Sequence, residues 1–197
     1  MDHPPLLVFD LMDTVIVDPF YREVLDYLGT TLPDLGQVKH PTSWIEFETN
    51  LCDEISFLER FYRPETGLKL ADPQAFKQVF RDNYRFLPGM EELLTELKAM
   101  GHSLWVLSNY SAWWQVARQK LALDRFFVGY CVSCDIGFRK PSGEAYSALI
   151  NAIGHENLVL IDDRSTNIEG ARQIGIEGIL FEDAKRLRNA LKKRSIL

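Results

Sequence analysis

From residue 88 onward the chain alternates short apolar runs with stretches of helical spacing, and this alternation limits the folds open to it more than any other feature. The apolar runs are 103–107, 127–133, 158–161 and 178–181. The spacing predicts helices over 90–100, 112–121, 142–153 and 166–174, with another after the last run. Gly101, Gly154 and Gly175 stand where three of these helices should stop, because glycine accepts the left-handed turn at a helix C-terminus. Short apolar runs separated by helices read as fully buried parallel strands. Strand–helix alternation predicts an α/β fold, a Rossmann-like doubly wound parallel sheet. Residues 6–9 add a strand at the start, ending in Asp10.

Residues 19–85 break the pattern. They are rich in aromatics, among them Phe20, Tyr27, Trp44, Phe57, Phe61, Phe76 and Phe80, mostly at helical spacing and with no convincing strand. Asp72 and Pro73 mark a plausible helix start, since Asp caps a helix and Pro suits its first turn. The segment reads as a helical cap inserted after the first strand. The predicted organisation is therefore a core of residues 1–18 and 86–197 interrupted by a helical cap over 19–85.

A length of 197 residues suits one core with a modest insertion. A hydrophobic fraction of 46% is enough for a real interior, and the net charge of −6 argues against a nucleic-acid binder, which would show a basic face. No run approaches the roughly 18 apolar residues of a membrane span. The opening residues show no targeting segment, a soluble protein is expected, and the cysteine usage points to a reducing, cytoplasmic location. Cys131 and Cys134 form a CxxC without a second pair. They are read as two thiols in or beside a buried strand rather than a zinc or redox pair.

In a doubly wound sheet, ligands bind in the crevice beyond the carboxyl ends of the strands. Four polar groups are predicted at such ends: Asp10; Ser108 with Asn109; Lys140; and the pair Asp162 and Asp163, with Asn167 one helical turn on. Taken singly, each has a plainer explanation as a turn or a helix cap. Together they bring three carboxylates to one crevice, where they repel unless a cation neutralises them. Hard oxygen ligands favour Mg²⁺, which takes one or two carboxylates plus substrate phosphate. A lysine and a hydroxyl opposite would grip phosphate oxygens. An aspartate can attack phosphorus to form an aspartyl-phosphate.

The order of these motifs, VFDLMDTVI, VLSNY, GFRKP and LIDDRSTN, resembles that of the haloacid dehalogenase superfamily over nearly the whole chain, from Leu6 to Phe181. The resemblance implies a Rossmann-like core with a cap inserted after the first motif. It also implies Asp10 as nucleophile and metal ligand, with the backbone carbonyl of Met12 as a further ligand. Ser108, Asn109 and Lys140 would hold the phosphoryl group, with Lys140 also neutralising Asp10. Asp163 would bind Mg²⁺ directly, with support from Asp162.

One position departs from the pattern. Phosphatases of this superfamily place a general acid and base two residues after the nucleophile, where this chain has Met12. A thioether carries no proton. Asp13 is the nearest substitute, although a one-residue offset re-aims its side chain. The stretches FDLMDTVIVDPFY, KHPTSWIEFE and LIDDRSTN also resemble the flavin mononucleotide hydrolases of plant chloroplasts and their bacterial relatives. By that resemblance the substrate is a flavin or similar phosphomonoester, and Trp44 either stacks on a flat ring or packs the cap. Trp113 and Trp114 are read as packing residues. Two other functions stay open: a metal-independent haloacid dehalogenase, in which Asp10 attacks carbon, and a weakly catalytic phosphate- or flavin-binding protein.

Overall fold

The computed structural model describes residues 5–154 and 157–197. Residues 1–4, which carry part of the expectation about a leader, lie outside them. Strands β1 (Leu6–Phe9), β2 (Leu104–Ser108), β3 (Phe127–Val132), β4 (Leu158–Asp162) and β5 (Glu177–Leu180) form one parallel sheet in the order β3-β2-β1-β4-β5. Between β1 and β2 run α1 (Glu23–Leu28), α2 (Leu32–Val38), α3 (Ser43–Glu48), α4 (Glu54–Glu59), α5 (Pro73–Asn83) and α6 (Met90–Ala99). Helix α7 (Trp114–Lys120) joins β2 to β3. The short turn α8 (Ser133–Ile136) and α9 (Gly143–Ile153) join β3 to β4. Helix α10 (Ser165–Gln173) joins β4 to β5, and α11 (Ala184–Lys193) follows β5. This is the Rossmann-like α/β sheet that the alternation predicts. Most elements begin or end within two residues of the expected positions.

Side chains alternate between the faces of a strand, and here both faces are covered. Val8, Leu107 and Leu160 pack with Tyr146 and Leu149 of α9 and Ile168 and Ala171 of α10. Leu7, Phe9, Val106, Val159 and Ile161 face the other way, against α6, α7 and α11. Burial on both sides is why these strands read as unbroken apolar runs rather than as alternating ones. Cys131 belongs to the first of these clusters and Cys134 to the second. Both thiols are free and buried, and burial pushes them up to about 11 and about 12, which makes them unreactive packing groups.

Helices α1 to α5 carry a dense aromatic cluster. Phe47 and Phe57 stack, and Trp113, which precedes α7, inserts edge-on against Phe47, Phe57 and Phe76. The Trp113 indole N–H donates to Glu54 at 2.6 Å. Both Trp113 and Trp114 are buried, as expected of packing residues. The Asp72 side chain caps α5 by accepting from Gln74 N and Ala75 N. Where the chain leaves and re-enters the sheet region, Ile16 bridges Phe86 and Val17 N donates to Arg85 O. Among the described residues, no helix is long and apolar enough to cross a membrane.

One placement differs from expectation. Lys140 does not sit at a strand tip. Strand β3 ends at Val132, α8 follows, and Gly137 at φ 75° ends that turn. Lys140 then arrives on the loop before α9. The Asn109 side chain holds it there, accepting from Lys140 N at 2.7 Å and donating to Lys140 O at 2.8 Å.

Candidate active site

Strand order decides where the site lies. β1 is flanked by β2 and β4, and the chain crosses from β3 at one edge to β4 on the far side of β1. The parallel register pairs Phe9 with Ile161, so the residues just beyond them, Asp10 and Asp162, come out side by side. Asp10 N donates to Ile161 O at 2.8 Å, which extends the ladder one residue past the strand.

Lys140 joins the two acids. Its Nζ donates to Asp10 Oδ1 at 2.7 Å, Asp162 Oδ2 at 2.6 Å and Leu107 O at 2.6 Å. Three partners use up the three donors of an ammonium group. The side chain is 1% exposed. Burial alone would lower the lysine's pKa, but Asp10 and Asp162 outweigh it, so Lys140 stays firmly protonated. Burial pushes the Asp10 carboxyl up to about 7 against the pull of Lys140, with Asp162 adding to the push.

Asp162 is fully buried, and both its oxygens are taken. Oδ1 accepts from Arg164 N at 2.9 Å and from Asn167 Nδ2 at 2.9 Å, while Oδ2 meets Lys140 and the same amide. Asn167, one turn into α10, thus works by holding Asp162. Asp163 differs: its half-buried carboxylate accepts no hydrogen bond from any described residue, and burial followed by the Asp162 charge raises its pKa. Asp10, Asp162 and Asp163 each offer an oxygen within 4.8 Å of the others. A hard, all-carboxylate set of this kind suits Mg²⁺ and would not suit a soft metal.

These groups open onto a pocket of about 210 Å³ between the carboxyl ends of the strands and the segment from Asp18 to Glu48. Asp10, Met12, Asp13, Asn109, Lys140, Asp163, Asn167 and Trp44 all line it. Ser108 and Asp162 are buried and do not line it, and the Ser108 Oγ has no partner among the described residues. Trp44 is both a packing residue and a lining residue of the pocket. Its ring makes edge contacts with Phe47, Phe57, Tyr110 and Trp113, yet part of it borders the pocket. Asp13 takes a left-handed backbone, φ 55°, and its Oδ1 accepts from Asp18 N at 3.1 Å.

Further pocket residues escaped the sequence reading. Lys39 follows α2, Glu48 ends α3, Arg139 and Arg164 lie within the third and fourth motifs, and Asp18 stands two residues after the first. Glu48 pairs with Arg139 at 2.6 Å and ties α3 to the Lys140 loop. Burial raises the Glu48 carboxyl, with Arg139 opposing, and lowers the Lys39 ammonium. Arg139 and Arg164 belong to the quoted motifs and are legible by position alone. Lys39 and Glu48 bound the stretch KHPTSWIEFE, whose resemblance implies a segment covering the site, but only packing decides that their own side chains line the pocket.

The family model for haloacid dehalogenase-like hydrolases matches residues 5–175. The chain belongs to the haloacid dehalogenase-like hydrolase family. It is 36% identical over 194 residues to flavin mononucleotide hydrolase 1 of Arabidopsis thaliana, a chloroplastic protein, covering 98% of this chain and 78% of that one. Among solved structures, the fold resembles a HAD family enzyme of Bacteroides thetaiotaomicron in complex with magnesium and inorganic phosphate. That match has a TM-score of 0.77 at 18% identity and covers 94% of this chain and 99% of the other. It also resembles a HAD-hydrolase of Bacillus subtilis bound to magnesium, with a TM-score of 0.72 at 18% identity, over 97% of this chain and all of the other.

Proposed function

We propose that the protein is a Mg²⁺-dependent phosphomonoester hydrolase that works through an aspartyl-phosphate on Asp10, with flavin mononucleotide as a candidate substrate. The observation that carries this is the arrangement around Asp10. One of its oxygens is pinned by Lys140 at 2.7 Å, and its carboxylate opens onto a pocket that also holds Asp163. Pinning one oxygen fixes the rotamer and aims the carboxylate, which is the positioning that phosphoryl transfer demands.

Asp10, Asp163 and the Met12 carbonyl are the groups that would hold the metal, with Asp162 in support; when bound, it would neutralise carboxylate and phosphoryl charge. A carboxylate oxygen of Asp10 bonds to phosphorus as the ester oxygen departs. Water then attacks the same phosphorus and frees Asp10. Lys140 acts through its charge beside Asp10. Direct contact between Lys140 and phosphate requires it to exchange one of its three present partners. Asn109 positions Lys140 by clamping its backbone. Ser108, whose buried Oγ has no described partner, would offer its hydroxyl to phosphate. Asp13 lines the pocket and is the sequence's candidate for proton transfer.

The kinship with a flavin mononucleotide hydrolase supports a flavin substrate, and the Trp44 ring edge in the pocket supports a flat leaving group. The pocket is smaller than the roughly 300 Å³ at which drug-sized ligand sites begin, so a flavin ring requires the cap wall to yield. The packed carboxylates weigh against a haloacid dehalogenase, because without a cation they would repel an acid substrate.

A panel of phosphomonoesters including flavin mononucleotide and pyridoxal phosphate, assayed for phosphate release with Mg²⁺ and with EDTA, tests this. Release that needs Mg²⁺ and vanishes in Asp10→Asn with the fold intact is expected. Tight ligand binding without phosphate release would make the protein a binder, and EDTA-resistant turnover of a haloacid would make it a dehalogenase.

A further inference from the structure

If the phosphatase reading holds, position 12 leaves the reaction without its proton carrier, because Met12 has no proton to give. Three carboxylates line the pocket outside the Asp10–Asp162–Asp163 cluster: Asp13, Asp18 and Glu48. Glu48 is committed to Arg139 at 2.6 Å. One oxygen of Asp13 accepts the Asp18 backbone N–H, a bond that favours its charged form, although burial outweighs it and raises the carboxyl; its left-handed backbone, φ 55°, fixes it in the turn after Met12.

Asp18 is held in a like way, at the turn that opens the cap. Its Oδ1 accepts from Phe20 N at 3.0 Å, capping the 3₁₀ turn that opens the cap, and no described residue donates to its second oxygen. Its backbone is held at N by Asp13 and followed by Pro19, so the side chain is oriented before substrate arrives. It stands at the crossing between sheet and cap, one residue after the Val17–Arg85 hydrogen bond.

We propose that Asp18 is the general acid and base of this enzyme, doing from the pocket wall what position 12 cannot, while Asp13 positions it. In the first step the bond between phosphorus and the ester oxygen breaks and an Asp10 oxygen bonds to phosphorus. The Asp18 carboxyl proton passes to the departing alkoxide. In the second step a water oxygen bonds to phosphorus and the Asp10–phosphorus bond breaks. The proton that water sheds returns to the Asp18 carboxylate, restoring both acids.

The surroundings suit a group that alternates between states. Burial pushes Asp18 up to about 7, with Asp13 and Asp10 adding to the push and the Phe20 N–H and Arg164 pulling down. On the side of β2 and α5 it faces the hydroxyls of Tyr110 and Tyr84, which lie 3.2 Å apart and stay protonated well above the usual tyrosine range. A carrier poised near the working pH is the most effective one.

The test compares kcat/KM for flavin mononucleotide, an ester of a primary alcohol, with that for p-nitrophenyl phosphate, whose leaving group departs without a proton. Asp18→Asn and Asp18→Ser both keep a side chain that caps the 3₁₀ turn. In each variant the alkyl ester should lose about 10²–10⁴-fold and the nitrophenyl ester far less. A burst of one equivalent of nitrophenolate should precede slow turnover, because phosphoenzyme hydrolysis has lost its base. An unchanged ratio of the two esters in both variants overturns the proposal. So does a ratio that moves in Asp13→Asn and not in Asp18→Asn. So too does a wild type that cleaves the nitrophenyl ester and no alkyl phosphate, since that is how a site without an acid behaves. Wild-type protein inactive on both esters refutes the phosphatase reading itself.

Discussion

Replacing Lys140 with methionine keeps the side chain's length and removes its charge. The lysine's Nζ lies 2.6–2.7 Å from carboxylate oxygens of both Asp10 and Asp162, and its side chain is 1% exposed. At an effective dielectric near 20, a unit charge pair at that distance is worth about 6 kcal/mol. Much of this offsets the cost of burying the charges, and breaking a buried pair by removing one partner costs about 3–5 kcal/mol. With two acids left behind, the upper half of that range is expected at pH 8. For a chain of this size about 2–4 °C of Tm goes with each kcal/mol, so the midpoint should fall by roughly 8–20 °C. The loss should depend on pH. Without the ammonium, burial and the Asp162 charge lift the Asp10 carboxyl further above its unfolded value of about 3.9. The folded chain then binds protons more tightly than the unfolded one, and stability declines as pH rises through that window. Lys140→Met should therefore be closer to wild type at pH 5 than at pH 8. Urea or thermal unfolding in EDTA at the two pH values measures both quantities. A loss below about 1 kcal/mol, the worth of an exposed pair, with no pH dependence, would refute the buried hub.

Two further perturbations probe the frame around that hub. Asp163→Asn removes the one carboxylate of the cluster that accepts no described hydrogen bond; Mg²⁺ affinity by calorimetry should fall at least tenfold with Tm nearly unchanged, whereas Asp162→Asn should lower Tm because it breaks contacts with Lys140, Arg164 and Asn167. Gly170→Ala places a methyl 2.8 Å from Pro141 O, beside Lys140; the crowding should cost about 1–3 kcal/mol in an unfolding experiment, and an unaffected midpoint would mean α10 and the Lys140 loop can part freely.

Much of this molecule could be read from residue order. The strand at Leu6–Phe9 and its terminal Asp10, the glycine stops at Gly101, Gly154 and Gly175, and the Asp72 cap are all local signals, each set by a few neighbouring residues. The clustering of Asp10, Asp162 and Asp163 followed from one step of topology, since parallel strands deliver their ends to one edge. Lys140 was misplaced because the turn α8 intervenes between β3 and its loop, and a four-residue turn has too little periodicity to be seen. Asp18 carries no mark in residue order, because an Asp-Pro pair of this kind usually caps a turn, and Asp18 does cap one.

What the sequence settled by itself is therefore the sheet, its helices and the chemical type of the groups at the strand ends, because backbone propensity and apolar pattern act over short range. What only the folded chain decided is which of those groups have hydrogen to give or oxygen to spare. The lysine's three donors are all engaged, one acid of the neighbouring pair is saturated while the other is open, and the Ser108 hydroxyl is buried without a described partner. Hydrogen bonds are saturable and short-ranged. Their distribution depends on partners that residue order leaves a hundred positions apart and that only packing brings within 3 Å.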